Sequence, residues 1–323
     1  MRPITATLLS LLVGLAASGA ALGQGYPNKP VRLIVPFPPG GSTDVLSRVL
    51  SQKASEKLGQ TLVVENRPGA GGTIGSDFVA KSAPDGYTLL MATGSTHAIA
   101  PAMSSKLPYN VERDFAPIGL VANAASVLVV PSTLPVKTLG EFIKLARSKP
   151  GQFNFGSSGN GTTSHLSGEL FKAQAGLFIT HIPYRGTGLV LTDMLSGQIQ
   201  MLVDSYVTSQ PHIRDAKLRA LGVTSLQRLP FLPDVPTIAE QGLKGFEISN
   251  WYGLYAPKGT PQDVVLKVNA AFNQTLQDPD VIKRLLNLGA TPLTGTPEEM
   301  ARSVAAETLR WRGLIQDRKI TVE

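Results

Sequence analysis

Ser157, Ser158 and His165 fall within one segment, GSSGNGTTSH at 156–165, and are residue types used in nucleophilic catalysis. Their spacing argues against it. A nucleophile elbow needs G-x-S-x-G, and here Gly159 follows Ser158 directly. A dinucleotide fingerprint begins at Gly159 and Gly161 but meets Ser164 where its last glycine should stand, and no Gly-Lys-Ser/Thr completes a phosphate loop. No base–orienter partner for His165 is evident, so its plainer reading is a structural or merely polar histidine. A different chemistry suits this segment and a second one, PFPPGGSTD at 36–44. In each, a glycine turn leads into hydroxyl residues that favour helix N-caps: Ser42 and Thr43 beside Asp44, then Thr162 and Thr163. A helix N-terminus offers unpaired N–H groups and the positive end of the helix dipole. It captures anions, and Gly40, Gly41 and Gly159 let a ligand approach the backbone.

The elements around these turns follow from pattern. VRLIV at 31–35 is apolar and largely β-branched, as in a buried parallel strand, and the prolines and glycines after it end the strand. Val45, Leu46, Val49 and Leu50 then take helical spacing, as do Leu166, Leu170 and Phe171 after a strand ending at Phe155. TLVVE (61–65) and YTLLMA (87–92) predict two more strands of an open parallel sheet. Loops at the carboxyl ends of such strands gather around ligands, which brings Ser95 and Thr96 toward the crevice of Gly40. Solvent-facing hydroxyls are the competing reading. FITHIPYRGTG (178–188) points Tyr184, Arg185, Gly186 and Thr187 into the cleft, and IQMLVD (199–204) places Asp204 at a strand's carboxyl end. Arg185 is the one cation expected near a ligand, with a plain surface role as its competitor. Caps are expected at Thr138/Glu141, Thr260-Pro261, Asp278-Pro279 and Thr296/Glu299, the last opening a helix with Met300, Val304, Trp311 and Leu314 on one face.

Two long extended stretches, 116–131 and 246–256, read as crossings between two α/β domains, 24–124 plus 252–323 and 125–251. Two crossings make a clamshell, and each domain brings one glycine-rich helix N-terminus to the cleft. A ligand with two carboxylates could bridge them. Phe37, Tyr184 and Trp251 could flank a flat ring, though core or hinge packing competes. Paired acids and metal-ligand clusters are missing from the pattern, so no metal and no cofactor is expected.

Residues 1–23 read as a signal peptide: Arg2, an apolar run at 7–16 too short to span a bilayer, and Ala21-Leu22-Gly23 before Gln24. The formal charge of +7 includes Arg2, which leaves +6 after cleavage. Lys and Arg are scattered with no basic run, which argues against nucleic acid. The absence of cysteine excludes disulfides, thiolate chemistry and lipidation at an N-terminal Cys. The expected product is an exported soluble monomer, periplasmic if the source is Gram-negative.

PPGGSTD (38–44), VENRPGAGG (64–72), PDGYTLL (84–90), SSGNGTTSHLSGELF (157–171), IPYRG (182–186) and DVPTIAEQG (234–242) follow one another along nearly the whole mature chain. In that order they resemble the Bug-type substrate-binding proteins of the tripartite tricarboxylate transporter family. The resemblance implies an α/β, type II periplasmic-binding-protein fold with the ligand cleft between two domains. It implies a carboxylate held mainly by backbone amides, hydroxyls and waters, and delivery to a membrane permease of one large and one small subunit. The site carried over comprises Gly40 to Asp44, then Ser157 to Thr163 with His165, and Tyr184 to Thr187; Phe37 and Pro39, just before the first turn, are further candidates for ligand contact. Leu189-Val190 stands where the family often has Pro-Ala, and Arg185 where Lys is common. A bidentate site distinguishes those two cations. Citrate-like, aliphatic and aromatic dicarboxylates such as terephthalate all fit these motifs. A sensing module for a membrane kinase would share the site, and a secreted hydrolase using Ser158 and His165 is the remaining alternative.

Overall fold

A computed structural model describes residues 25–248 and 250–317 of the chain, so the signal peptide expected at 1–23 lies outside the described residues. β1 (Val31–Val35) is buried except at Arg32, as its apolar run dictates. It pairs in parallel with β2 (Leu62–Asn66) and β3 (Thr88–Thr93). The sheet is not parallel throughout. β10 (Trp251–Pro257) lies antiparallel to both β3 and β4 (Phe115–Ala124), and β11 (Ala290–Pro292) closes the edge, giving the order β11-β4-β10-β3-β1-β2. The expectation of an open parallel sheet fails because β10 is a returning chain that enters from the far side.

The other strands form a second unit. β5 (Ser126–Pro131) lies between antiparallel β8 (Leu202–Ser205) and β9 (Leu218–Val223). Parallel β6 (Asn154–Ser157) and β7 (Thr180–Pro183) attach to it through a bridge from Phe155 to Met201. The outward crossing is one apolar run in sequence but two strands in space, β4 and β5, broken at Ala125. That residue's N–H donates to Gly289 O at 2.9 Å, while its carbonyl accepts from Tyr206 N at 2.8 Å. The return crossing becomes a strand only at Trp251, which pairs with Asn123 in the first sheet.

Helices begin where local capping chemistry directs. Thr138 and Glu141 form a capping box on α5 (Leu139–Ser148), and Asp278 caps α10 (Pro279–Asn287). Thr296 and Glu299 close a reciprocal box on α11 (Pro297–Asp317), whose Met300, Val304 and Trp311 are buried and Leu314 partly so. Thr260 does not cap: its hydroxyl donates to Pro257 O at 2.8 Å, and Pro261 holds the N-cap position of α9 (Gln262–Thr275). The helices that open toward the centre of the molecule are α1 (Ser42–Leu58), α6 (Thr163–Ala175), α7 (Thr187–Leu195) and α8 (Tyr206–Arg214). The remaining three, α2 (Thr73–Ala80), α3 (Ala100–Met103) and α4 (Val111–Asp114), flank the first sheet.

Candidate functional site

A cavity of about 420 Å³ lies between the two units and is lined from both. Four helices present their first residues to it: α1 through Gly41 to Thr43, α6 through Thr163 and Ser164, α7 through Gly186 and Thr187, and α8 through Ser205. The ladder of α1 begins with Val45 N donating to Gly41 O at 3.0 Å. The amides of Ser42, Thr43 and Asp44 therefore precede it, the donors that helix geometry leaves over. The chain reaches this conformation because Gly40 turns it at φ +79° while Gly41 is extended, φ −71°.

Of the residues named from sequence, Phe37, Pro39, Gly41, Ser42, Thr43, Ser95, Ser158, Thr163, Arg185, Gly186, Thr187 and Asp204 line this cavity. The others lie off its wall, each for a local reason. Gly40 donates its N–H to Asp44 Oδ2 at 2.9 Å, so both belong to the turn. Asp44 also accepts from Arg48 Nε at 3.0 Å and Asn66 Nδ2 at 2.9 Å. Burial pushes its carboxyl up, but these hydrogen bonds outweigh that and hold its pKa below the ordinary value. Thr96 turns back on Thr93, and the expected loop at 93–97 is a buried π-helical turn, Ser95–Ile99. Ser157 Oγ lies 2.7 Å from His181 Nε2. Thr162 caps α6, accepting from His165 N. Tyr184 donates to Asp193 Oδ2 at 2.6 Å; burial first and that acid second raise its pKa to about 12. Gly159 and Tyr184 line a second cavity instead. Trp251 is not on the wall of either cavity: its indole N–H donates to the Glu307 carboxylate.

His165 has no catalytic geometry. Its Nδ1 accepts from Gly161 N at 3.2 Å, and its ring stacks on His181 with centroids 3.9 Å apart. Burial, then the charge of Lys172, lowers its pKa to about 4. Ser158 Oγ faces Ser164 Oγ at 3.0 Å, a hydroxyl and not a base. Among the described residues no cluster of three or more His, Cys, Asp or Glu could hold a metal.

Reading the sequence missed Ser126, Asn250 and Tyr252, which also line the cavity. They lie in the two stretches that the sequence reads as crossings between the domains. Asn250 Nδ2 donates to the Tyr252 hydroxyl at 3.0 Å, and that hydroxyl donates to Ser42 Oγ at 2.8 Å. The return crossing thereby orients the first hydroxyl of α1.

The units touch across the cleft. Ser95 Oγ lies 3.1 Å from Thr163 Oγ1 and accepts from Thr163 N at 3.0 Å. At the lips, a Cβ on Gly71 would lie 2.7 Å from Asn160 O, and one on Gly186 2.7 Å from Pro38 Cγ. Glycine is needed at both positions for this approach.

Arg185 and Asp204 are the charged side chains on the cavity wall among the described residues. Arg185 is exposed. Asp204 is 6% exposed, accepts from Thr208 and from Ser209 Oγ at 3.1 Å, and has Thr187 Oγ1 at 3.4 Å. Burial raises its pKa to about 6 against the lowering effect of those donors. Above that pH it is an anion sharing a cavity with any bound anion; below it the repulsion is gone. Affinity for a carboxylate is therefore expected to rise as pH falls from 7.5 to 5.5, by roughly three- to tenfold for about 1 kcal/mol of relieved repulsion. In Asp204→Asn the calorimetric affinity should be flat over that range, and an unchanged slope would remove Asp204 from the explanation.

Comparisons with known proteins identify the family. Residues 46–320 match the tripartite tricarboxylate transporter family receptor. The structure of the periplasmic binding protein BugD is 35% identical with a TM-score of 0.89, covering 92% of this chain and 100% of BugD. Rpa4515 of R. palustris, solved with adipate, is 36% identical with a TM-score of 0.89, covering 92% of this chain and 99% of its own. MatC from Rhodopseudomonas palustris, with bound malate, is 36% identical with a TM-score of 0.86, covering 90% of this chain and 100% of MatC. The fold is the two-domain, type II periplasmic-binding-protein fold, and the chain belongs to the tripartite tricarboxylate transporter receptor family, the Bug-type solute-binding proteins, which bind solutes and are not enzymes.

Proposed function

We infer that this protein captures a carboxylate in the central cavity and closes two domains around it, for delivery to a membrane permease of one large and one small subunit. The observation that carries the reading is the wall itself: four helix N-termini and a set of serine and threonine hydroxyls converge on one space. Such donors neutralise an anion without a formal positive charge. The relatives bound to adipate and malate support the ligand class. Gly41 to Thr43 would hold one carboxylate, and Ser158, Thr163 and Arg185 with Thr187 would serve the remainder of the ligand. We assign residues 24–124 with 252–323 to one domain and 125–251 to the other, a division supported by the change of sheets between Ala124 and Ser126 and by the return to the first sheet at Trp251. Periplasmic residence is supported by the family and by the leader read at residues 1–23.

The test is calorimetry of the protein cleaved after residue 23 against adipate, malate, citrate and terephthalate. Saturable binding of at least one is expected, and failure of all four would refute the reading. Closure has its own measurement. The contacts of Ser95 with Thr163 and of Gly71 with the Asn160 loop mark a closed form. Small-angle scattering should give a larger radius of gyration without ligand than with saturating ligand. An unchanged radius, with binding established separately, would sink the closure claim.

A further inference from the structure

We propose that the cleft holds a second, apolar subsite, and that the preferred ligand is a carboxylate bearing an aryl or extended alkyl tail. The proposal rests on the carboxylate reading above and deepens it. A cavity of about 650 Å³ adjoins the central one. The two share Pro38, Arg185 and Gly186 on their walls. Phe37 and Ser158 also line both, and among the shared residues the Pro38 ring comes close against Gly186, whose φ of +112° and missing Cβ allow the contact.

The second cavity differs in chemistry from the first. Pro36, Pro68 and Ile74 line it with Pro38, and no hydroxyl-lined helix N-terminus surrounds it as in the central cavity. Proline carries no N–H, so the proline side of this wall, with Phe37 and Ile74, offers few donors and suits a hydrocarbon surface, while Ser158, Asn160, Tyr184 and Arg185 make up its polar side. Arg185 is its one charged side chain among the described residues. That guanidinium stands at the junction, where it can lie along an aromatic face or neutralise a carboxylate next door.

Two features of its wall suit an occupant. Ile74 is 56% exposed although it lies in the cleft between the domains. A single exposed aliphatic residue is ordinary, but this one lines a concave space together with Phe37, Pro36, Pro38, Pro68 and Pro183, beside glycine backbone. The loop before it is held in an unusual backbone conformation: Gly69, Ala70, Gly71 and Gly72 all have positive φ, and Ala70 at +47° is not glycine. Strain of this kind persists where the surroundings enforce it and clusters at ligand clamps. Here it carries the loop to the Asn160 backbone, which walls the second cavity from the opposite domain.

The test compares hexanoate, 6-phenylhexanoate and adipate by calorimetry on the cleaved protein and on Ile74→Asp. In wild type the phenyl compound should bind at least tenfold more tightly than hexanoate. Ile74→Asp places a charge on the wall of the second cavity only, and the side chain's exposure makes folding loss small, which circular dichroism checks. It should abolish the phenyl gain and leave adipate within threefold. Binding of hexanoate or adipate with no phenyl gain, or a gain that survives Ile74→Asp, overturns the subsite while leaving the carboxylate reading intact. No binding of any of the three, or of malate, citrate and terephthalate, overturns both.

Discussion

Gly71→Val should weaken ligand binding by about a hundredfold while both domains stay folded. Gly71 lies in the loop that meets the opposite lip, with φ +63°, and a Cβ there would stand 2.7 Å from the Asn160 carbonyl oxygen. The obstacle is backbone and not the end of a flexible side chain, so the lips must separate to relieve it. Overpacking of this kind costs about 1–3 kcal/mol, and a β-branched residue at positive φ adds strain. Because the clash exists only when the lips meet, most of the cost falls on the closed form. About 2.7 kcal/mol against closure is about a hundredfold in apparent affinity. Calorimetry with the best ligand reads the loss, and scattering should show that the mutant keeps the open radius at ligand concentrations that close wild type. Gly186→Ala attacks the other lip, where the added methyl would meet the Pro38 ring, and should act in the same direction. Wild-type affinity in folded Gly71→Val would mean that the lips do not meet in the bound form.

What could be read from sequence was local. The run at Val31–Val35, the glycine turn after it and the capping boxes at Thr138 and Thr296 each depend on residues within a few positions, so pattern exposes them. The convergence of the two glycine-rich turns was accessible because both motifs occur at strand ends. What pattern cannot carry is pairing between distant segments. Tyr252 orients Ser42 across 210 positions, and Ser95 meets Thr163 across 68. No periodicity marks either pair. The antiparallel entry of β10 is hidden for the same reason, since an isolated strand carries no direction relative to its neighbours.

Side-chain direction was the second thing hidden. Asp44 and Thr43 are adjacent N-cap types with equal claims on the cavity. In the fold Thr43 lines it, and Asp44 turns back to Gly40, Arg48 and Asn66. Asp44, at the third position of the helix, takes the Gly40 N–H ahead of it, much as the acid of a capping box reaches back, and that demand outranks the ligand's. Tyr184 is diverted by Asp193 in the same manner. Polar residues near a binding site are divided between ligand and scaffold by partners that sequence does not display.

Gly41→Val is expected to cost at least tenfold in binding, through access and not through backbone strain. The positive φ in this turn belongs to Gly40 at +79°; Gly41 is extended at φ −71°, ψ 163°, which valine adopts without strain. A Cβ on Gly41 would rest 3.4 Å from Pro38 O, an ordinary contact, so the loop keeps its shape. Valine is a poorer N-cap than glycine, a cost on the order of 1 kcal/mol that leaves the fold intact. What changes is access. Gly41 lines the cavity just before the free amides of Ser42, Thr43 and Asp44, and the two methyl groups would stand between those donors and an incoming carboxylate. Losing one charge-assisted hydrogen bond costs about 1.5–3 kcal/mol, which is roughly ten- to a hundredfold. The effect should fall on affinity and not on closure, so saturating ligand should still contract the mutant in scattering, unlike Gly71→Val. Gly41→Ser restores a favoured cap with a smaller side chain and should recover part of the loss. If folded Gly41→Val binds as tightly as wild type, the N-terminus of α1 does not hold the ligand, and the carboxylate must be placed against α6 and α7 instead.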